Sequence, residues 1–446
     1  MSTTIFALAT PPGRGAVAII RLSGPNAGAA LSALTGREKP LPRRLTRANL
    51  RYPGTGDLID QAMVVWFPGP DSYTGEDVVE FQVHGGRAVV AAVCEALLIL
   101  PGIGPAEPGA FTRRAFDNGK LDLTQAEAIA DLIDADTLAQ RHQALRQLGG
   151  EIGAKYEEWR SRLIHTLACL EAVIDFPDED LPAALDQAAT VEITALIADM
   201  DAHLADGRRG ERLREGLAVA IIGPPNAGKS SLLNALARRD AAIVSARSGT
   251  TRDVIEVHLD LGGYPLILAD TAGLRDTADE IEGEGVRRAL ARATDSDIKI
   301  AVFDGAVWPA VDSMTVRLLD NDTLIVVNKA DIHGQDAPMI GDRPALALCA
   351  RNNDGVPILV QHLTAMARER LEARTQPTLT RIRHRVAVAA CRDALMRALT
   401  PALTPALPEL VAEDVRLATR ALAVLTGRIT TDDVLAQIFR EFCIGK

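Results

Sequence analysis

Eight residues, Gly223-Pro224-Pro225-Asn226-Ala227-Gly228-Lys229-Ser230, have the spacing G-x-x-x-x-G-K-S. The apolar run Leu217–Ile222 ends on them and the leucine-spaced Ser231–Leu236 follows. Strand, glycine-rich bend and helix are the context this spacing needs to cradle phosphate. The glycines let the backbone curl so that its N–H groups point at phosphate oxygens. Asn226, Ala227, Gly228, Lys229, Ser230 and Ser231 are therefore candidate nucleotide contacts. Lys229 would reach the β- and γ-phosphates, and Ser230 would offer a hydroxyl to Mg²⁺.

Three further motifs fall at strand ends in the order a guanine-nucleotide switch requires. Asp270-Thr271-Ala272-Gly273 follows an apolar run ending at Ala269; Asp270 would hold Mg²⁺ through water and the Gly273 amide would sense the γ-phosphate. Asn328-Lys329-Ala330-Asp331 follows a run ending at Val327. A carboxylate at Asp331 can accept two N–H bonds from guanine that adenine cannot offer, which selects GTP. Cys349-Ala350 would place backbone N–H groups near guanine O6, and Thr251, in Gly249-Thr250-Thr251-Arg252-Asp253, offers the second Mg²⁺ hydroxyl. Four such motifs in order imply a GTPase. Ras-like switches place a water-orienting glutamine after Asp-x-x-Gly; Leu274 stands here and has no polar atom. Asn226, Arg252, Arg275 and the acidic stretch Asp279-Glu280-Ile281-Glu282 are the candidates to replace it.

The elements that must position these residues follow from periodicity. Residues 217–372 alternate short buried strands, among them 266–269, 300–303, 324–327 and 346–348, with helices, as in a doubly wound, mostly parallel α/β sheet. Before this lies a helical segment: Thr124-Gln125-Ala126-Glu127 reads as a capping box, Leu163, Leu167, Leu170 and Ile174 form an apolar stripe, and a further helix is expected over 188–209. Helices at 385–399 and 413–425 follow it, so the α/β domain reads as an insertion in a helical bundle. The first 118 residues read as a small α+β domain with strands at 17–22, 62–67 and 79–83 and a helix over 87–98. Alternation puts Glu80 and Gln82 on the face opposite Val79, Phe81 and Val83. The boundaries expected are 1–118, 119–213, 214–374 and 375–446.

Composition narrows the class. With 446 residues, 47% hydrophobic and 24% charged, the chain has core for several soluble domains. A net charge of −11 argues against indiscriminate adhesion to nucleic acid while leaving room for a local basic patch. Five scattered cysteines give neither a zinc spacing nor a disulfide framework. With no signal peptide or membrane-length apolar run, a cytoplasmic location is expected.

Thr4–Gly24, Ser72–Gly86, Gly223–Asp253 with Asp270–Arg275, and the terminal Phe442-Cys443-Ile444-Gly445-Lys446 resemble the bacterial and organellar tRNA-modification GTPases called MnmE or TrmE. The resemblance covers essentially the whole chain. It implies an N-terminal tetrahydrofolate-binding and dimerisation domain, a discontinuous helical domain and an inserted G domain. It implies a homodimer that, with the FAD protein MnmG in a heterotetramer, adds a carboxymethylaminomethyl or aminomethyl group to C5 of the wobble uridine of certain tRNAs. The one-carbon source would be 5-formyl- or methylene-tetrahydrofolate. Potassium at the G-domain interface would replace an arginine finger, ligated by Asn226, main-chain groups of Ser245 and Arg247, and Thr250. By the same resemblance Ala246 and Ser248 join Ser245, Arg247, Gly249, Thr250 and Thr251 in the GTP site. Glu282 would orient water once the G domains meet. Arg21, Glu80, Lys120 and Lys446 match folate contacts, and Cys443 matches the family's C-terminal cysteine, a candidate for the modification chemistry.

Two other readings fit the residues less well. A ribosome-assembly GTPase would carry a basic RNA-binding module, which neither the flanks nor the charge shows. A non-enzymatic folate scaffold would not keep Lys229, Ser230, Thr251 and Asp270 together.

Overall fold

The computed structural model describes residues 3–175, 184–238, 242–243, 256–269, 294–334, 338–372, 378–400, 408–429, 432–440 and 442–445. The chain divides into two compact units, one of Met1–Ala130, Gln147–Glu179 and Leu407–Lys446, the other of Asp131–Arg146 and Asp180–Ala406.

In the first unit six strands form one sheet: β1 (Thr4–Leu8), β2 (Val17–Ser23), β3 (Thr46–Arg51), β4 (Leu58–Phe67), β5 (Val78–His84) and β6 (Ile103–Pro105), in the order β3-β4-β5-β2-β1-β6. Every neighbouring pair is antiparallel except β1 with β6. Period-two alternation decides its faces. Val79, Phe81 and Val83 pack with Ile20, Leu22 and Val64 against the helices Ala27–Thr35 and Arg87–Leu98 in one core. Burying each large apolar side chain contributes about 1.5–3 kcal/mol. Glu80 and Gln82, on the opposite face, are only half-buried, as alternation requires. Strand β4 starts four residues before the expected 62, and β3 had no forecast; its Thr-Arg-Ala-Asn-Leu-Arg sequence buries only Ala48 and Leu50 and gives a weak apolar signal.

The helix Leu123–Ile133 corrects the capping reading. Asp122 accepts from the Gln125 N–H at 2.8 Å and Gln125 Oε1 accepts from the Asp122 N–H at 3.0 Å. The reciprocal cap is thus Asp122/Gln125, two residues earlier than the Thr124/Glu127 pair, whose residues are fully buried. Thr124 instead donates its hydroxyl to Asp122 at 2.6 Å. The helices Glu151–Asp175 and Pro408–Thr426 lie side by side, joined at one point by Arg416 and Glu171 at 3.0 Å.

In the second unit β7 (Leu217–Ile222), β8 (Ala242–Ile243), β9 (Glu256–Leu261), β10 (Tyr264–Ala269), β11 (Ile298–Asp304) and β12 (Thr323–Asn328) come before a short hairpin of β13 (Met339–Ile340) and β14 (Arg343–Pro344), then β15 (Leu346–Ala347). The sheet order is β15-β12-β11-β7-β10-β9-β8. Its five strands from β15 to β10 are parallel, and β9 and β8 add an antiparallel edge. Apolar clusters cover both faces, one around Leu232, Leu359 and Leu363, the other around Phe303, Ile325 and Val327. This is a doubly wound α/β domain. A single helix over 188–209 does not form. Ala184–Leu204 ends before Gly207 and Arg208, both at positive φ (67° and 59°), and a second helix runs Arg209–Glu215. Glu211 locks that break: it accepts from Arg208 Nε at 2.6 Å and Arg385 Nε at 2.9 Å. Ala184–Leu204 also packs on Ile382–Ala398. In each unit, then, a helix preceding the α/β segment pairs with one that follows it.

Among the described residues no helix is long and apolar enough to cross a membrane.

Candidate nucleotide-binding site

Strand β7 sits mid-sheet, so the loop after it emerges at the carboxyl edge where open α/β sheets bind ligands. Two glycines shape that loop. A Cβ on Gly223 would lie 2.2 Å from the Val302 carbonyl oxygen, and one on Gly228 would lie 2.1 Å from Asn328 Nδ2; both residues have positive φ, 149° and 93°. Between them Asn226 is exposed at φ 62°, a conformation that asparagine tolerates better than most residues. The helix Lys229–Ala237 starts here and aims its first N–H groups at the loop, a natural anion site. Lys229 Nζ lies back across the loop, donating to the carbonyls of Gly223 at 3.0 Å and Pro224 at 2.9 Å. Ser230 and Ser231 are exposed at the helix start and Ala227 is fully buried.

The loops after β12 and β15 come to the same edge. Asn328, 3% exposed, joins them to the P-loop: its Nδ2 donates to the Ala227 carbonyl at 2.9 Å and its Oδ1 accepts from the Ala350 N–H at 3.0 Å. Leu348 and Ala330 complete the junction through the bond from the Ala330 N–H to the Leu348 carbonyl at 3.0 Å. Lys329 stands at φ 65° and pairs with Asp304, the last residue of β11, at 2.7 Å. Burial pushes the Asp304 carboxyl up, but the Lys329 ammonium and the Ala306 N–H outweigh it and hold it below the usual aspartate range. Asp331 is exposed, its carboxylate open to a ligand. Cys349 is buried, and its N–H donates to the Asp354 carbonyl at 2.9 Å, which fixes the loop carrying Ala350.

Thus Asn226, Ala227, Gly228, Lys229, Ser230, Ser231, Asn328, Lys329, Asp331, Cys349 and Ala350 all lie on loops at one sheet edge or at the start of the helix that follows. Ser245, Ala246, Arg247, Ser248, Gly249, Thr250, Thr251, Asp270, Thr271, Ala272, Gly273, Leu274, Glu282 and Lys446 lie outside the described residues. Asp304 had no forecast; its position at the end of a buried strand was the available signal.

In the first unit Arg21 and Glu80 are direct cross-strand partners and form an ion pair at 2.9 Å. The Arg21 guanidinium also lies 5.7 Å from the Tyr73 ring centre and 5.9 Å from that of Phe111. The Tyr73 hydroxyl is within 2.8 Å of Thr112 Oγ1, and burial, the dominant influence, raises its pKa. Lys120 also approaches this loop: a Cβ on Gly75 would lie 3.5 Å from its Cε. The Tyr73–Gly75 loop therefore touches Arg21 through Tyr73 and Lys120 through Gly75, while Glu80 is reached through its pair with Arg21. The C-terminus is docked nearby. Gly445, at φ 98°, fits where a Cβ would come within 2.4 Å of the Leu8 carbonyl, while Cys443 stays exposed.

A family model described as the MnmE helical domain matches residues 123–443, and one described as GTP-binding protein TrmE N-terminus matches residues 4–120. The first spans the entire α/β segment, the signature of a helical domain interrupted by an insertion. The tRNA modification GTPase MnmE of Paramagnetospirillum magneticum is 55% identical over 447 residues, covering 100% of both chains. That of Parvibaculum lavamentivorans is 53% identical over 99% of this chain and 100% of its own. That of Rhodospirillum rubrum is 54% identical over 99% of each.

Proposed function

The chain belongs to the MnmE family of tRNA modification GTPases, and from that premise we propose that its GTP hydrolysis drives modification at C5 of the wobble uridine of tRNA. Asn328 carries the reading, because one buried carboxamide joins the phosphate loop to the base-reading loop. A nucleotide bound at this edge would touch both.

In the proposed mechanism the N–H groups of residues 227–231 bind phosphate oxygens, Lys229 leaves the Gly223 and Pro224 carbonyls for the β- and γ-phosphates, and Asp331 selects guanine. The exposed Ser230 hydroxyl at the helix start fits a hard cation, and Ser230 with Thr251 would hold Mg²⁺. The exposed Asn226 carboxamide fits a potassium ligand, with Ser245, Arg247 and Thr250 completing the set. When bound, these cations neutralise charge developing on the transferring phosphoryl group. Glu282 would orient water, Asp270 would hold Mg²⁺ through water, and the Gly273 amide would sense the γ-phosphate. Turnover then requires two G domains to meet in a homodimer.

The first unit would bind 5-formyl- or methylene-tetrahydrofolate through Arg21, Glu80, Lys120 and Lys446, with Cys443 close to the chemistry. The FAD protein MnmG would be the partner and the cytoplasm the site of action. The test is GTP turnover in KCl against NaCl at equal ionic strength, with wobble-uridine modification measured in cells lacking the protein. Faster turnover in KCl and loss of the modification are expected; equal rates refute the potassium role and unchanged uridine refutes the reaction.

A further inference from the structure

Residues 37–51 depart from the character of the chain. They carry Arg37, Lys39, Arg43, Arg44, Arg47 and Arg51 against the single acid Glu38, a net of +5, while the whole chain is −11, which leaves −16 on the rest. All six cations are exposed. None of the six forms an ion pair with a described residue: Arg43 donates to the Asp71 carbonyl, Arg47 to Gln61 Oε1 at 2.8 Å, Arg51 to the Gly56 carbonyl at 2.7 Å, and the Lys39 ammonium sits 4.8 Å from the centre of the Trp66 ring. Neutral acceptors orient these side chains and leave their charge uncompensated. Asp60, the acid nearest in register, is taken by the N–H and Nδ1 of His84, each at 2.8 Å.

The fold gives this charge a direction. Strand β3 is the sheet edge, paired only with β4. Ala48 and Leu50 point into the core, so Arg47 points to the opposite face. Register extends that face across the sheet: Arg47 pairs with Met63, Met63 with Gln82, and Gln82 with Ile19. Two residues along, the next row on the same face runs Val65, Glu80, Arg21 and Ala7. Arg47 and the Arg21–Glu80 pair thus share one face, whereas Lys39, over Trp66 and against Gly28, packs on the helix-covered face; β3 lies two strand spacings, about 10 Å, from β5.

We infer that the β3 edge, through Arg47 with Arg43, Arg44 and Arg51 beside it, docks the phosphate backbone of the RNA substrate and lays it beside the one-carbon site. This rests on the proposed reaction at tRNA. All four are arginines, whose planar fork fits phosphate. Arginines along an edge contribute position and affinity and carry no base readout.

The test uses the full chain and an unmodified tRNA transcript with uridine at the wobble position, titrated by fluorescence anisotropy at several salt concentrations. The triple variant Arg44→Gln/Arg47→Gln/Arg51→Gln loses three phosphate contacts, so the slope of log affinity against log salt should become shallower by about 2.7. Raising salt fourfold should then weaken wild type about 40-fold more than the variant. The matching triple Lys variant should keep the wild-type slope, and GTP turnover without tRNA should be the same in all three. An unchanged slope in the Gln variant overturns the inference. So does a Gln variant that keeps tRNA affinity but changes oligomeric state, or one that loses only binding to phosphatidylserine vesicles. If wild type binds no tRNA, this surface fails as a dock, and the wobble-uridine assay decides the proposed reaction separately; if wild type binds and all variants match it, this surface alone fails.

Discussion

Replacing Asn328 by alanine should separate the phosphate loop from the base loop. The substitution removes two hydrogen bonds, from Nδ2 to the Ala227 carbonyl and from the Ala350 N–H to Oδ1. Each is worth about 1 kcal/mol net when intact. The partners left behind belong to residues 0% and 7% exposed, and an unsatisfied buried group costs about 1–3 kcal/mol. The total penalty for the two groups is therefore about 2–6 kcal/mol. Guanine nucleotide must bind both loops at once, so it must restore their joint arrangement out of its own binding energy. A loss of about 2 kcal/mol raises the GTP dissociation constant roughly 30-fold. Equilibrium titration of the full chain with a fluorescent GTP analogue measures this directly. Asn328→Asp is the sharper control, since it keeps an acceptor for the Ala350 N–H but turns a carboxylate oxygen toward the Ala227 carbonyl; its loss should be at least as large. A dissociation constant within about threefold of wild type in both variants would refute the argument that this side chain couples the loops.

Asp331→Asn exchanges an acceptor for a donor and should move preference from GTP toward xanthosine triphosphate; a competition titration in which guanine is still preferred would show that Asp331 does not read the base. Gly445→Val forces a Cβ to within 2.4 Å of the Leu8 carbonyl at φ 98°. Folate binding, measured by calorimetry, should fall at least tenfold while GTP turnover holds, because the displaced tail ends in Lys446; unchanged folate affinity would detach the tail from that site. Glu211 is held below the usual glutamate range although burial works against it, because the Arg208 and then the Arg385 hydrogen bonds favour the carboxylate. Its stabilisation is complete above the unfolded value of about 4.3 and is lost as pH falls through the lower folded value. The melting temperature of wild type should thus fall more steeply as pH drops below about 4.3 than that of Glu211→Gln, and parallel curves would remove Glu211 from the acid response.

Much of the catalytic architecture was legible because it is local. A phosphate loop needs Gly223 and Gly228 where backbone and side chain crowd, a lysine and a hydroxyl at the helix start, and a buried strand before it, all within about fifteen residues. The strands β7, β10, β11 and β12 announced themselves as apolar runs reaching Ile222, Ala269, Phe303 and Val327, since a parallel sheet buried on both faces demands them. Alternation likewise assigned Glu80 to a polar face. The capping of Leu123–Ile133 went astray by two residues because Asp122 and Thr124 both satisfy the pattern, and only the observed bonds distinguish them.

What the sequence by itself determined about this protein is the inventory of its chemical parts: a G-x-x-x-x-G-K-S phosphate-loop motif, a carboxylate at Asp331 in an Asn-Lys-Ala-Asp motif, and ends that resemble one family. What only the tertiary structure decided is which distant residues act together. Asn328 meets Ala227 across 101 positions of chain, Arg21 meets Glu80 across 59, and the tail at Gly445 returns to Leu8. Periodicity reports which face a side chain takes, but not which partner faces it, because strand order and register are set by packing of the whole sheet. The basic edge shows the same division: its charges stand in plain sight between Arg37 and Arg51, but only the order β3-β4-β5-β2 puts Arg47 on the face that holds Arg21 and Glu80.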